Sequence, residues 1–156
     1  MTLADIKKST EPYKAGVSGT SEGNAQETIN GLKSSYRQNL ANDYNISAGQ
    51  LAREKAASLR ESEIEQRQAE SALPERMAMA GINGGAAGTT LANLRAGYQS
   101  GRNDIRNNYM TSLSQLGQQY GNNAAEADRS LDQSWLDYLL TKAQAENSAK
   151  LKKSYG

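Results

Sequence analysis

Apolar residues recur every eleven positions in the second half of the chain. Tyr98, Tyr109 and Tyr120 keep this spacing, and blocks of the same length run over residues 94–138. Eleven residues make three turns at about 3.67 residues per turn, close to the free α-helix, so the repeat is typical of a nearly straight or slightly right-handed helix. We predict that this helix spans about residues 90–150.

The repeat places its apolar residues on one narrow stripe, which a long helix cannot bury by itself. We therefore predict that the stripe forms a helix–helix interface. Trp135, the only tryptophan, is the best single candidate for an anchor. The predicted interface residues are Leu94, Tyr98, Ile105, Tyr109, Leu113, Leu116, Tyr120, Leu131, Trp135 and Tyr138.

Residues 25–80 form a second helical segment in this prediction, with apolar side chains at three- and four-residue steps. Beyond Leu59 the apolar residues thin out and charges of alternating sign follow, a pattern typical of a solvated face with intrahelical ion pairs. Residues 73–82 read as a short helix of their own, with Pro74 in its first turn and a glycine stop at Gly81, followed by the apolar Ile82.

Residues 81–89 are rich in glycine and predict a turn or hinge between the helices, formed by Gly81, Gly84, Gly85 and Gly88. Thr89 or Thr90 is expected to cap the next helix. Four more glycines, Gly97, Gly101, Gly117 and Gly121, fall inside that helix. They mark either kink points or close approaches of a neighbouring helix, and their pairing four apart favours close approach.

Both ends of the chain differ from the helical segments. Residues 1–24 mix Pro12 and several glycines with Ser, Thr and Lys, which predicts an irregular arm that is flexible or ordered by a partner. Residues 151–156 form a short basic tail, and lysines there complement the dipole of a helix C-terminus. The predicted class is all-α, elongated, with two helical segments and a terminal arm.

The amino-acid composition predicts that the hydrophobic cores between the helices are small. Leu, Ile and Val together make up only 22 of 156 residues, Phe is absent, and the net charge is +1. Helix formers such as Ala, Gln, Glu and Arg replace the missing hydrophobes. So few large side chains cannot fill a compact globule at native density, so we expect stability to depend on association.

The chain contains no Cys and no His. Disulfides, structural zinc and imidazole catalysis are therefore excluded, and no carboxylate has a recognisable catalytic partner. Asp128, Asp132 and Asp137 are interpreted as solvated surface residues. We predict no enzyme activity, no cofactor and no metal.

The other motifs carry weak functional signals. The glycine cluster lacks the lysine of a phosphate loop, and its G-x-x-G at residues 85–88 stands without the strands of a nucleic-acid-binding KH domain. Tyrosines eleven residues apart along a helix are about 16 Å apart, too far for stacking on successive bases. A secretory signal and a membrane-spanning segment are not expected. A membrane-active loop at residues 77–88 is a minor hypothesis.

Residues 73–120 resemble a known group of proteins. The segment starts with Leu73-Pro74, contains Gly-Ile-Asn-Gly-Gly-Ala at residues 81–86 and a threonine pair, and continues from Leu91 as Leu-x-x-Leu-x-x-x-Tyr-x-x-x-Arg-Asn. It is similar to small helical proteins encoded in the structural-gene clusters of tailed bacteriophages. The resemblance covers about a third of the chain and implies a virion component, assembled in the host cytoplasm.

Two functional hypotheses follow. The first is a virion structural protein that assembles with copies of itself and with other virion proteins, including the portal, in the portal or neck, the tail or the internal core. Its neutral surface implies at most weak, non-specific contact with nucleic acid, and no small-molecule substrate. The second is an ejected delivery protein that rearranges at the glycine-rich turn to contact host membrane or genome.

Either hypothesis predicts that Leu116→Asp or Trp135→Ala disrupts assembly, because each change removes apolar contact from a helix with little other burial. The solution mass of each variant, measured by light scattering, checks this. A well-folded variant with the mass of the unmodified protein would contradict it.

Overall fold

The computed structural model describes residues 22–154, and two long helices contain nearly all of them. Helix α1 spans Glu22–Met79 and helix α2 spans Gly85–Ser154. A short turn joins them, and residues 22–154 contain no strand. The predicted all-α class with two helical segments and a glycine-rich turn is confirmed. The predicted arm lies, apart from residues 22–24, outside the described residues.

Helix α1 starts earlier than predicted and ends one residue before the predicted boundary at residue 80. It begins at Glu22, three residues before the predicted start, and the acidic side chain of Glu22 lies in its positively polarised first turn. The short helix predicted at residues 73–82 is not separate, because Pro74 lies inside α1. Proline removes one backbone hydrogen bond there. The helix formers that follow, including Glu75 and Arg76, continue the helix to Met79.

Gly81 ends α1 as the sequence predicted. Its φ of 70° is in the left-handed region, where a side chain would be strained. The Ile82 amide donates to the Met77 carbonyl oxygen at 2.9 Å, and the Gly81 amide donates to the Ala78 carbonyl oxygen at 3.2 Å. This pair of hydrogen bonds is a Schellman motif, which satisfies the last carbonyl groups of the helix.

Helix α2 starts earlier than predicted, so the turn is shorter than residues 81–89. Gly84 has a φ of 66°, and its carbonyl oxygen accepts a hydrogen bond from the Ala87 amide at 3.1 Å. Gly85 and Gly88, predicted as hinge residues, lie within α2. Neither threonine caps the helix: the hydroxyls of Thr89 and Thr90 donate to carbonyl oxygens one turn earlier.

The end of α2 also extends past its predicted boundary. The helix continues to Ser154, so the first four residues of the predicted basic tail are helical. Lys152 and Lys153 lie in the last turn, where positive charge opposes the partial negative charge of the free carbonyl groups. Residues 155–156 lie outside the described part of the chain.

The chain divides into two compact units. Unit 1 contains the described residues 22–44 and 118–154, and unit 2 contains residues 45–117. In unit 1 the two helical segments run antiparallel, since Glu22 contacts Lys142 whereas Tyr44 contacts Tyr120. The buried cluster of this unit, which we call the unit 1 core, consists of Ile29, Tyr36, Ala127 and Leu131, with Leu32, Leu40 and Trp135 packed against it.

In unit 2 the two helical segments and the turn form a helical hairpin held by half-buried contacts. None of its side chains is buried. The Lys55 ammonium lies 4.1 Å from the ring centroid of Tyr109, and Arg95 pairs with Glu70 across the hairpin. Unit 2 is therefore held by partly buried apolar side chains together with a cation–π contact and an ion pair between its helical segments.

The glycines inside α2 do not mark close approaches within the chain. A Cβ atom added at Gly97, Gly101, Gly117 or Gly121 would meet no other side chain or backbone atom within 4 Å. The preferred interpretation of their pairing is therefore wrong for these contacts.

Replacing Leu131 by alanine should destabilise the protein by about 2–4 kcal/mol, because Leu131 is fully buried in the unit 1 core. Urea unfolding followed by far-UV circular dichroism measures this loss. Ile46→Ala is the control, since Ile46 is 59% exposed and its replacement should be nearly neutral. Equal losses for the two variants would contradict the assigned core.

Gly81→Ala and Gly84→Ala should each cost about 1–2 kcal/mol, because alanine is strained at positive φ. Gly88→Ala is the matched control, since Gly88 is helical and a Cβ meets open space there. We expect it to be neutral or to stabilise by up to about 1 kcal/mol. Urea midpoints that do not separate the three variants would refute the turn geometry.

Candidate helix–helix interface

All ten predicted interface residues of α2 lie on its inward side. Leu131 and Tyr138 are buried, and the other eight side chains are partly buried. Within each unit, α1 therefore covers one side of the stripe and leaves the other side accessible. The partly buried residues are Leu94, Tyr98, Ile105, Tyr109, Leu113, Leu116, Tyr120 and Trp135. Their contact with a second molecule stays a prediction.

Trp135 and Tyr138 form the aromatic part of the stripe in unit 1. Their ring centroids are 5.4 Å apart with an interplanar angle of 20°, an offset stack. Tyr138 is only 4% exposed, and Trp135 packs against the unit 1 core. The predicted anchor Trp135 thus contacts its own chain, with part of its indole still accessible.

The tyrosines of the eleven-residue repeat contact α1. The Tyr120 ring lies 5.5 Å from the Tyr44 ring in unit 1, with an interplanar angle of 56°. Tyr109 accepts the Lys55 ammonium over its face in unit 2. These rings pack between the helices of one chain.

Three ion pairs flank the unit 1 core. Lys33 pairs with Asp132 at 2.5 Å, Arg37 with Asp128 at 2.5 Å, and Lys142 with Glu22 at 2.7 Å. From the sequence, Asp128 and Asp132 are interpreted as solvated residues. In the structure each of them pairs with a basic side chain of α1. These ion pairs are largely exposed, so each adds little to the free energy of unfolding. Their main effect is to define which residues of the two helical segments lie opposite each other.

Two of these ion pairs raise the pKa of the basic side chain. The hydrogen bond that Arg37 donates to Asp128, together with the charge of Asp128, raises the pKa of Arg37, and the hydrogen bond that Lys142 donates to Glu22 raises the pKa of Lys142. Burial raises the pKa of the Tyr36 hydroxyl, with a smaller contribution from the charge of Glu126. None of these groups gains a proton affinity suited to acid–base catalysis near neutral pH.

Comparison of the chain with models of protein families, with curated proteins and with solved structures finds no match. The resemblance of residues 73–120 to bacteriophage proteins therefore stays a prediction.

A second apolar surface lies on the opposite side of α2 in unit 1. We call it the outward leucine face, and it consists of Leu136, Leu140 and Leu151, which are 64%, 61% and 59% exposed. Leu136 was missed from the sequence because it falls between the anchor positions of the eleven-residue repeat. Its four-residue spacing from Leu140 was the available signal, since such residues share a helix face.

Neither helix within residues 22–154 has a segment apolar and long enough to cross a membrane. The same residues contain no cluster of three or more acidic side chains arranged to hold a metal ion.

A hydrogen-bonded network crosses unit 2. Arg95 donates two hydrogen bonds to the Glu70 carboxylate, at 3.0 and 3.1 Å. The Gln66 amide donates a third to the same carboxylate, at 2.7 Å. Together these donors lower the pKa of Glu70 from its ordinary value of 4.5 to about 2. The network orients the Gln66 side chain. Its amide oxygen accepts a hydrogen bond from Arg102 of α2.

Glu70→Gln should weaken the acid sensitivity of unfolding. The pKa of Glu70 is about 2 when folded and near its ordinary 4.5 when unfolded. The stabilisation from its ionised form is thus present above about pH 5 and is lost as the pH falls toward 2. Urea midpoints across this range measure the effect. The control Glu65→Gln, at an exposed carboxylate without an ion pair among residues 22–154, should leave the pH dependence unchanged. Identical profiles for Glu70→Gln and the unmodified protein would contradict the network.

Proposed function

We propose that this chain is a non-enzymatic structural protein that assembles with copies of itself through its helices. The observation that carries the proposal is the outward leucine face of unit 1, three exposed leucines on the side of α2 opposite the unit 1 core. Leucine side chains at this exposure leave apolar area in water, and covering it on association is favourable.

The limited core of a single chain supports the same proposal. Within residues 22–154 the buried apolar side chains number six, all of them in unit 1. Eight of the ten predicted interface residues keep part of their surface accessible. A second copy that covers the accessible side of the stripe or the outward leucine face adds burial that one chain lacks.

The proposed setting is the virion of a tailed bacteriophage, assembled in the host cytoplasm. It rests on the resemblance of residues 73–120 and on the all-α architecture. The net charge of +1 supports a component that does not hold the genome tightly, since tight DNA binders carry a basic excess. The portal or neck, the tail and the internal core are equally compatible positions.

The alternative is an ejected delivery protein that rearranges at the turn. One observation favours it: Met79, at the end of α1 and beside the turn, is 76% exposed. An apolar side chain at a turn with two glycines at positive φ offers a contact for a membrane surface after rearrangement. Binding to liposomes by the intact protein, and its loss on Met79→Ser, would favour this alternative.

Light scattering across a concentration series, with far-UV circular dichroism, tests self-assembly. We expect a helical oligomer for the unmodified protein. Leu136→Asp with Leu140→Asp should give a helical monomer, because these side chains lie outside the unit 1 core. The matched control places two aspartates at the same spacing on exposed positions of α2, as Gln119→Asp with Asn123→Asp.

The control variant should keep the oligomer. A folded monomer for the unmodified protein at all concentrations would overturn self-assembly. If the variant with both leucines replaced is still an oligomer, the interface lies on the accessible side of the predicted stripe.

A further inference from the structure

Unit 2 contains a groove lined by four arginines. Arg60 and Arg67 reach it from α1, and Arg102 and Arg106 reach it from α2. The groove has a volume of about 560 Å³, enough for a small polar ligand. Among residues 22–154, Glu63 is the only carboxylate that lines the groove.

The positive charge of the groove is not neutralised from within. Glu63 is already paired with Arg67 at 2.6 Å, within the same helix. Arg60, Arg102 and Arg106 have no ion pair with any carboxylate in the described part of the chain. Three uncompensated guanidinium groups therefore line one groove, and their mutual repulsion favours occupation by an anion.

Arg102 is held in place by amides, which leave its charge intact. It donates to the Gln66 amide oxygen at 2.5 Å and to the Gln99 amide oxygen at 3.3 Å. The Gln66 amide nitrogen in turn donates to Glu70, which Arg95 binds with two hydrogen bonds. This chain of contacts orients the Arg102 guanidinium before a ligand arrives, which lowers the ordering cost of binding.

Arg106 is oriented in a similar way. Its guanidinium donates to the Asn103 amide oxygen at 3.1 Å, one turn earlier in α2. Arg102 and Arg106 are four residues apart on the helix, so their side chains lie on one face. The remaining N–H groups of such guanidinium forks match the oxygens of a phosphate, and two negative charges suit three cations better than one carboxylate charge does.

We propose that this groove binds a phosphate-bearing anion, with Arg60, Arg102 and Arg106 as its ligands and Gln66 as a positioning residue. A free condensed phosphate and two successive phosphodiesters of a single-stranded nucleic acid both present phosphate oxygens with at least two negative charges. The proposal is independent of self-assembly, because the groove lies within unit 2 of one chain.

Two probes test binding and distinguish these sources: inorganic pyrophosphate by titration calorimetry, and a labelled oligothymidylate by fluorescence anisotropy, both at low ionic strength. We expect Arg106→Gln and Arg102→Gln to weaken binding roughly tenfold, the effect of losing a charge-assisted hydrogen bond. The control Arg53→Gln removes the same charge from an exposed position of unit 2 outside the lining residues and should change affinity far less.

The outcomes separate clearly. Binding of pyrophosphate alone supports a site for free phosphate, and binding of the oligonucleotide with displacement by pyrophosphate supports a site for a nucleic-acid backbone. Failure of both probes to bind overturns the proposal. Equal losses for Arg53→Gln and Arg106→Gln also overturn it, because they would mean attraction to overall charge. Displacement by an acidic peptide as effective as pyrophosphate would overturn the assignment to phosphate.

Gln66→Ala tests the positioning role. This variant keeps all the charges of the groove, so the salt dependence of oligonucleotide binding should stay the same while the affinity falls. Arg106→Gln should reduce both the affinity and the salt dependence. Circular dichroism and urea midpoints verify that each variant is folded. Unchanged affinity for folded Gln66→Ala would overturn the role of Gln66.

Discussion

The contact between one narrow apolar face of α2 and the facing surface of α1 is the constraint on which each unit depends. A chain this poor in large hydrophobes cannot surround a side chain on all sides except where both helices contribute. In unit 1 that happens around Leu131, which is fully buried between residues of the two helices. Elsewhere the apolar residues are covered on one side only, and their burial is correspondingly incomplete.

Polar contacts supply the specificity that the apolar face lacks. An apolar row of similar side chains allows neighbouring registers, since sliding by one turn still places hydrophobe against hydrophobe. The pairs of Lys33 with Asp132 and of Arg37 with Asp128 fit only one register in unit 1. In unit 2 the two-point contact of Arg95 with Glu70 does the same for the hairpin. Weak ion pairs thus select an arrangement that they barely stabilise.

Much of the architecture could be predicted because it depends on local sequence. The eleven-residue repeat identified the face that contains Leu131 and Tyr138, and the glycine stop at Gly81 was correct because only positive φ completes the Schellman motif. Boundaries were less certain where residues tolerate two conformations. Gly85 and Gly88 suit a turn, yet the alanines between them favour a helix, and Gly81 and Gly84 provide the positive φ angles of the turn.

The interhelix contacts could not be predicted, because they join residues far apart in sequence. Arg102 and its partner Gln66 are separated by 36 positions, and Arg37 and Asp128 by 91. No periodicity within one helix reveals which residue of the other helix lies opposite. The arginine groove was missed for this reason: along α1 its arginines alternate with glutamates and resemble an ordinary solvated face.

The position of Trp135 gives the protein a built-in optical reporter. As the only tryptophan, it stacks on Tyr138 and packs against the unit 1 core, so its fluorescence senses the surroundings of unit 1 alone. Circular dichroism, in contrast, records the helices of both units together. Comparing the two signals during unfolding reveals whether unit 2, with no fully buried side chain, melts before the unit that contains the core.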